Sequence, residues 1–242
     1  MNFFVEKNQI HDNKIIIIGT DVNHIKNVLR KNIGDLLNIV SDGVKYKVKI
    51  NTLNSEEIVC NIIDKEEKKL VGPQITIFQG LAKADKIEYI IQKCSEVGAT
   101  EIIPTEMKRC VVKLDEKDKI KKLDRWKKIA EVAAKQSLRD NILKVEKIVK
   151  IEEAYELVKG YDLTIVAYEN EKNNSLKKVL KEIKNKDLTI AIIIGPEGGL
   201  EENEVQKLQD GGAKVVTLGN RILRTETAPI VVCSNIMYEL EN

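Results

Sequence analysis

The stretch "IIIGPEGGLEENEV", residues Ile192–Val205, joins an apolar run to an acidic, helix-like segment through three glycines and one proline. A glycine-rich connection between a strand and a helix brings backbone amides against a bound molecule, so the stretch indicates a βα unit with a binding loop. The loop lacks the spacing G-x-G-x-x-G and the Gly-Lys-Ser/Thr of a phosphate loop. A phosphate-bearing cofactor is therefore disfavoured, and a tight structural turn is the alternative for this loop taken alone.

The composition describes a globular chain of 242 residues with 43% hydrophobic residues, which is enough for one or two domains. The formal net charge of +2 argues neither for nor against a polyanionic partner. Four cysteines lie far apart and only two histidines accompany them, so we expect reduced thiols and no metal site. The N-terminus lacks the pattern of a signal peptide, and no apolar segment approaches the length of a membrane span. The sequence therefore predicts a cytoplasmic protein without a membrane partner.

Two domains are predicted, over residues 1–70 and 71–242. The first contains short runs of β-branched residues separated by turn residues, which favours a small barrel or sandwich. A polar run over 64–73 ends in Gly-Pro and marks the boundary. Beyond it, continuous apolar runs alternate with helical segments, a pattern typical of a parallel α/β sheet covered on both faces. These runs are "QITIFQGL", "LTIVAYE", "LTIAIIIG" and "AKVVTLG".

A second motif, "TLGNRILRTETAP", spans Thr217–Pro229 and follows the last of these apolar runs. It places a glycine, two arginines and one glutamate in another connection from a strand to a helix. Pro229 falls in the first turn of that helix, where a missing amide costs least. Loops at the carboxyl ends of neighbouring parallel strands face one crevice, so the two motifs predict a shared site.

Taken together, "IIIGPEGGLEENEV" and "LGNRILRTETA" resemble the RsmE family of ribosomal RNA small subunit methyltransferases, within the SPOUT superfamily. The resemblance extends upstream through "RWKKIAEVAAKQSLR" and "KIEYIIQKCSEVGATEIIP" to about Phe78. In the first domain, "HIKNVLR" is similar to the family's small RNA-binding domain of PUA type. "RDNILKV" lacks a proline that the family places there, a departure that concerns the loop over 141–144. The resemblance implies a SPOUT-type parallel sheet with a C-terminal trefoil knot, preceded by a PUA-like β-barrel domain.

The implied activity is methyl transfer from S-adenosyl-L-methionine to N3 of a uridine in 16S ribosomal RNA. The implied substrate is small-subunit ribosomal RNA or the assembled small subunit, and the implied assembly is a homodimer without a metal. Two alternatives stay open at this point. One is a SPOUT enzyme that methylates a ribose 2′-hydroxyl in transfer or ribosomal RNA, and the other is a non-catalytic RNA-binding protein.

S-adenosylmethionine carries no phosphate, so its site needs backbone groups for the adenine, an apolar wall and room for a sulfonium cation. The glycines of the two motifs permit close backbone approach, and the leucines and isoleucine of the second motif supply the wall. The end of "LTIVAYE" is a third loop that the resemblance places beside the cofactor. The predicted cofactor site consists of Tyr168, Glu169, Gly195, Pro196, Glu197, Gly198, Gly199, Leu218, Gly219, Ile222 and Leu223.

Two residues of the second motif are catalytic candidates. Uracil N3 becomes a good nucleophile after losing its proton, and the resulting negative charge spreads onto the two carbonyl oxygens. A fixed cation beside these oxygens lowers the barrier, which is the role predicted for Arg224. Glu226 is the candidate for proton removal, with a glutamate that only stabilises the first helical turn as the alternative. Arg221 is interpreted as a solvated or salt-bridged side chain.

RNA contact is expected from clustered cations. On the long helix over about 120–138, the spacing predicts a cationic stripe opposite the buried face. A charged helix face is usually only solvated, so this prediction depends on the family resemblance. The predicted RNA-binding residues are Arg30, Lys83, Lys86, Lys93, Arg109, Arg125, Lys128, Lys135, Gln136 and Arg139.

Overall fold

The structure, a computed structural model, describes residues 1–67, 72–83 and 85–241. The chain divides into two compact units. Met1–Leu70 and Ala134–Asn141 form the first, and Val71–Ala133 and Ile142–Asn242 form the second. The predicted domain boundary at residues 70 and 71 lies outside the described residues.

The first unit is built on a six-stranded sheet in the order β1-β4-β5-β6-β3-β2. Along β3, Ile15 and Ile17 are fully buried while Lys14 and Ile18 are exposed, so one face of the strand covers the core. A helical segment follows β3 and contributes Val22 to the same core. The strands are β1 (Asn2–Phe4), β2 (Ile10–His11), β3 (Lys14–Ile18), β4 (Leu36–Ser41), β5 (Val44–Leu53) and β6 (Glu57–Glu67), and the helical segment is α1 (Thr20–Asn23) with a π-helix over His24–Val28.

The second unit is built on a seven-stranded sheet in which every strand pairing is parallel. Its order is β10-β8-β7-β12-β11-β13, with β9 beside β8. The strands are β7 (Gln74–Gly80), β8 (Glu101–Glu106), β9 (Lys144–Val145), β10 (Val149–Lys150), β11 (Leu163–Ala167), β12 (Thr189–Ile194) and β13 (Lys214–Val216).

Alternate residues of the central strands enter two different hydrophobic cores. In β12, Ile190, Ile192 and Ile194 belong to one core, and Ala191 and Ile193 belong to the other. Both faces of this sheet are therefore covered, which is why its strands read as nearly continuous apolar runs. The first core includes side chains from α2 (Lys86–Glu96), α3 (Glu116–Gln136), α5 (Leu176–Lys181) and α7 (Ala228–Leu240), and the second includes side chains from α4 (Ile151–Leu157) and α6 (Glu202–Asp210).

The predicted fold class is confirmed, since a parallel α/β sheet follows a small β-rich unit. Pro229 occupies the first turn of α7 as expected. The trefoil knot implied by the resemblance stays a prediction. Among the described residues, no helix combines the length and the apolar character that crossing a membrane requires.

Candidate functional site

The carboxyl ends of three adjacent parallel strands, β12, β11 and β13, lead into loops that line one cavity of about 780 Å³. Neighbouring strand ends in a parallel sheet meet at the same edge, so this convergence follows from the strand order. The cavity brings together every residue predicted for the cofactor site and for catalysis. These are Tyr168, Glu169, Gly195, Pro196, Glu197, Gly198, Gly199, Leu218, Gly219, Ile222, Leu223, Arg224 and Glu226.

Three glycines of the cavity are required for different reasons. A β-carbon at Gly195 would lie 2.9 Å from the carbonyl carbon of Gly199, so the loop folds back on itself too closely for a side chain. Gly199 has a φ of +70°, and a β-carbon there would collide with the carboxylate of Glu169. Gly219 has a φ of +116° and faces open space. The loops therefore present bare backbone to the cavity.

A buried hydrogen-bonded chain fixes the glycine loop to the sheet, and sequence reasoning missed it. The Thr225 hydroxyl donates to the carbonyl oxygen of Gly195 at 2.7 Å, and it accepts from Nε2 of Gln79 at 2.9 Å. Gln79 is fully buried near the carboxyl end of β7, and Thr225 is also buried. A glutamine inside the apolar run "QITIFQGL" was the available signal, because a buried amide needs partners.

Lys86, the first residue of α2, connects the two motif loops. Its Nζ lies 3.2 Å from Oε1 of Glu197 and 3.3 Å from Oε2 of Glu226. Burial lowers the pKa of Lys86, but hydrogen bonds and charges from both glutamates outweigh burial and raise it above its usual value. Oε1 of Glu197 also accepts from the backbone amide of Lys83 at 2.9 Å. The Glu197 carboxylate thus lines the cavity with partners from the protein already in place.

Arg224 and Glu226 have opposite exposures. The Arg224 side chain is 84% exposed at the cavity, whereas the Glu226 side chain is only 16% exposed. Nη1 of Arg224 lies 3.9 Å from Oε1 of Glu226. The helix α7 has Thr227 as its N-cap residue, so Glu226 lies before the helix. Glu226 thus directly precedes the N-cap at the amino end of the helix, and stabilisation of this end stays the alternative to its catalytic role.

Arg109 and Lys108 attach the chain after β8 to this site. Nη1 of Arg109 donates to the carbonyl oxygen of Gly198 at 3.1 Å. The backbone amide of Lys108 donates at 2.9 Å to Oε1 of Glu204, whose other oxygen accepts from the amide of Glu201. Glu204 is buried at the start of α6, and both of its oxygens are used. The glycine loop is therefore held from both sides.

Comparison with known proteins identifies the family. Residues 68–237 match the RNA methyltransferase domain family, and residues 17–63 match the RNA methyltransferase PUA domain. The chain belongs to this RNA methyltransferase family. It is 37% identical to the ribosomal RNA small subunit methyltransferase E of Bacillus subtilis, over 99% of this chain and 96% of that protein. It is 33% identical to the Mesomycoplasma hyopneumoniae protein of the same name, over 98% of this chain and 99% of that protein.

A solved structure shows the same similarity. The ribosomal RNA small subunit methyltransferase E of Neisseria gonorrhoeae, bound to S-adenosyl methionine, is 28% identical to this chain. The two superpose with a TM-score of 0.83 over 98% of this chain and 96% of the other. The family predicted from the two motifs is confirmed, and so is the PUA-like character of the first unit.

The sequence predicts a stripe of exposed cations on the long helix, α3. This prediction is wrong at Lys135. Its side chain is buried, and Nζ donates to both oxygens of Asp21 at 2.8 and 2.9 Å. The stripe also ends early, because α3 stops at Gln136 and Leu138 has a φ of +60°. Arg139 is therefore off the helix, and its guanidinium donates to the side-chain oxygen of Asn141.

Other predicted RNA-binding cations have acidic partners on the protein. Nζ of Lys93 lies 2.9 Å from Oε1 of Glu96, and Nη2 of Arg125 lies 2.7 Å from Oε2 of Glu88. A cation already paired with a carboxylate gains less from a phosphate than a free one does. Among the described residues, no acidic partner is found for four further predicted residues, all of which are exposed: Arg30, Lys83, Lys128 and Gln136.

Proposed function

We propose that this protein methylates N3 of a uridine in 16S ribosomal RNA, with S-adenosyl-L-methionine as the methyl donor, in the cytoplasm. The observation that carries the proposal is the cavity at three strand ends, which offers bare backbone, an apolar wall and two opposite charges. Similarity over nearly the whole chain to small subunit methyltransferase E proteins supports the substrate class. The neighbour bound to S-adenosyl methionine supports the cofactor.

The residues at the cavity fit this cofactor. Gly219 leaves open space beside the backbone, which suits the adenosine and the methionine chain, whereas Gly195 and Gly199 let the loop fold tightly at the cavity wall. Leu218 and Leu223 supply apolar surface beside it. This cofactor has no phosphates, so its site needs neither a helix N-terminus nor cations to bind a pyrophosphate. The glycine loop accordingly has neither G-x-G-x-x-G nor Gly-Lys-Ser/Thr. When bound, S-adenosylmethionine supplies an electrophilic methyl group.

The charged residues of the second motif then act on the uracil. The exposed side chain of Arg224 lines the cavity and stabilises negative charge on the uracil carbonyl oxygens. The mostly enclosed Glu226 accepts the N3 proton, and Lys86 keeps its carboxylate oriented. N3–H is the Watson–Crick donor of uracil, so the target base must be unpaired when it enters.

We assign the two activities to the two domains. Residues 1–70 form the PUA-like RNA-binding domain, with Arg30 as an RNA contact, and residues 71–242 form the methyltransferase domain. The family matches over 17–63 and 68–237 support this division. All cavity residues belong to the second unit, so cofactor binding needs only that part of the chain.

A homodimer is part of the proposal. Tyr238 on α7 is 76% exposed, and Tyr89 on the contacting helix α2 is about half exposed. Aromatic side chains of this size on neighbouring helices are enriched at protein interfaces. Light scattering at micromolar concentration is expected to give twice the mass of one chain, and Tyr238→Asp is expected to lower it. A monomer mass for the unmodified chain would contradict the dimer.

The product tests the proposed reaction. In-line transfer needs the nucleophile about 3 to 3.5 Å from the methyl carbon, so the site must hold either a uracil edge or a ribose hydroxyl. Small-subunit ribosomal RNA incubated with the protein and methyl-labelled S-adenosylmethionine is expected to yield 3-methyluridine by nucleoside mass spectrometry. Label on a ribose would favour a 2′-O-methyltransferase. Cofactor binding without any label in RNA would indicate a non-catalytic RNA-binding protein.

A further inference from the structure

The chain between β8 and α3 has one side on the core and one side exposed. It lies between Glu106 and Glu116 and has no regular secondary structure after residue 109. Cys110, Val112 and Leu114 are half-buried and pack against the core of the second unit. The residues between them, Val111 and Lys113, are exposed, so exposure alternates along the chain from Cys110 to Leu114.

The outward side carries cations around one apolar side chain. Arg109 and Lys113 are exposed, Val111 between them is 62% exposed, and Lys108 is exposed at the start. We call Lys108–Lys113 the 108–113 segment. Lys108 and Lys113, its outermost cations, can be at most about 18 Å apart. An exposed apolar side chain flanked by cations has the chemistry to receive a nucleic acid strand, with phosphates on the cations and a base or sugar on the valine.

The 108–113 segment is fixed at the edge of the cavity. Arg109 donates to the Gly198 carbonyl, and Gly198 lines the cavity. The backbone amide of Lys108 is held by the buried carboxylate of Glu204. The 108–113 segment is therefore in direct contact with the glycine loop that lines the cavity.

The charges of this segment differ from those on the helices. Among the described residues, neither Lys108 nor Lys113 has an acidic partner, in contrast to Lys93 and Arg125. The acidic residues that follow the segment are engaged with their own helix, since Asp115 accepts from the Asp118 amide and Glu116 pairs with Lys119. The cavity itself adds exposed cations in Lys172, Arg221 and Arg224, opposed by Glu169.

We infer that the 108–113 segment binds the single-stranded RNA that flanks the target nucleotide. The inference rests on the proposed function and adds the path of the substrate, which passes over this segment rather than over the outer face of α3. Lys108 and Lys113 contact phosphates, and Val111 packs against an unstacked base or sugar. RNA that enters a methylation site must be unpaired locally, and the segment offers a narrow strip of the kind that suits a single strand.

Salt-dependent binding of full-length chains to 16S ribosomal RNA tests the assignment. Each phosphate contact to a single strand contributes about 0.7 to the slope of log affinity against log salt. The double variant Lys108→Gln with Lys113→Gln is expected to lower the slope by about 1.4 and the affinity roughly tenfold at about 0.15 M salt. The matched variant Lys121→Gln with Lys127→Gln removes the same charge from exposed positions of α3 and is expected to keep the slope. Val111→Ser is expected to weaken binding without changing the slope.

Neither Lys108 nor Lys113 lines the cavity, so the segment variant is expected to keep its cofactor affinity. Unchanged cofactor affinity in calorimetry shows that a variant is folded. If the unmodified chain methylates the RNA and the segment variant keeps its slope, the inference is wrong and the proposed function stands. An equal loss of slope in the α3 variant would also overturn it. If the unmodified chain binds the cofactor but neither binds nor methylates ribosomal RNA, both the proposed function and the inference are wrong.

Discussion

Arg224→Ala separates chemistry from binding at the candidate site. The guanidinium is 84% exposed and lies 3.9 Å from the Glu226 carboxylate, so it contributes little to folding. An exposed ion pair of this kind is worth about 0–1 kcal/mol, which corresponds to a change in Tm of at most about 2–4 °C for a chain of this size. The variant is therefore expected to be folded and to bind S-adenosylmethionine nearly as well as the unmodified chain.

The expected loss is in turnover. Removing one donor that stabilises developing negative charge costs a factor of about 10² to 10³ in kcat, equal to about 2.7–4 kcal/mol. The enclosed Glu226 is still present in the variant, so proton removal itself is not abolished. Transfer of methyl label to small-subunit ribosomal RNA, followed at several RNA concentrations, gives kcat and KM separately. The fall is expected in kcat, because the charge on the carbonyl oxygens develops only as the proton leaves.

Arg221→Ala is the matched control. Arg221 is also exposed and also lines the cavity, and among the described residues it has no acidic partner. Because it is interpreted as a solvated side chain, its loss is expected to leave kcat within about twofold. If Arg224→Ala instead raises KM with an unchanged kcat, Arg224 is a binding residue and the catalytic assignment is wrong. Equal losses of kcat in both variants would also refute it.

Two further predictions concern the glycine loop. Gly195→Ala is expected to weaken cofactor binding tenfold or more by calorimetry, because the added carbon would lie 2.9 to 3.1 Å from backbone atoms that can move only by opening the loop, at a cost of about 1–3 kcal/mol. Gly160→Ala, where nothing lies within 4 Å, should leave affinity unchanged, and a similar loss there would contradict the steric explanation. Burial raises the pKa of Glu197, but the hydrogen bonds from Lys83 and Lys86 outweigh it, so the pKa lies below its usual 4.5. The stability that Glu197 contributes is complete above that usual value and is lost as the pH falls through the lower folded-state value. The Tm of Glu197→Gln should therefore fall less than that of the unmodified chain between about pH 6 and about pH 3, and parallel curves would show that the contact does not stabilise the fold.

The amino-acid sequence by itself determined the parallel sheet and the position of the site. Strands covered on both faces are apolar at nearly every position, and β12 shows this directly, with alternate residues in two cores. The loops after β12 and β13 contain the glycines and charged residues of both motifs, and parallel strands necessarily bring such loops to one edge. Each of these features is local, or follows from strand direction alone, so a pattern of residues is enough to predict it.

Only the tertiary structure decided which charges are available. Lys135 has the spacing of a surface cation, but it is buried against Asp21, more than a hundred residues earlier in the chain. The sequence predicts that Lys86 contacts RNA, whereas in the structure it bridges Glu197 and Glu226 from two different loops. Gln79 and Thr225 likewise meet only in the folded chain. Helical and strand periodicity records which side of an element is buried, but the energy of a charge depends on the groups within a few ångströms of it. Those groups come from distant parts of the sequence, and only folding brings them together.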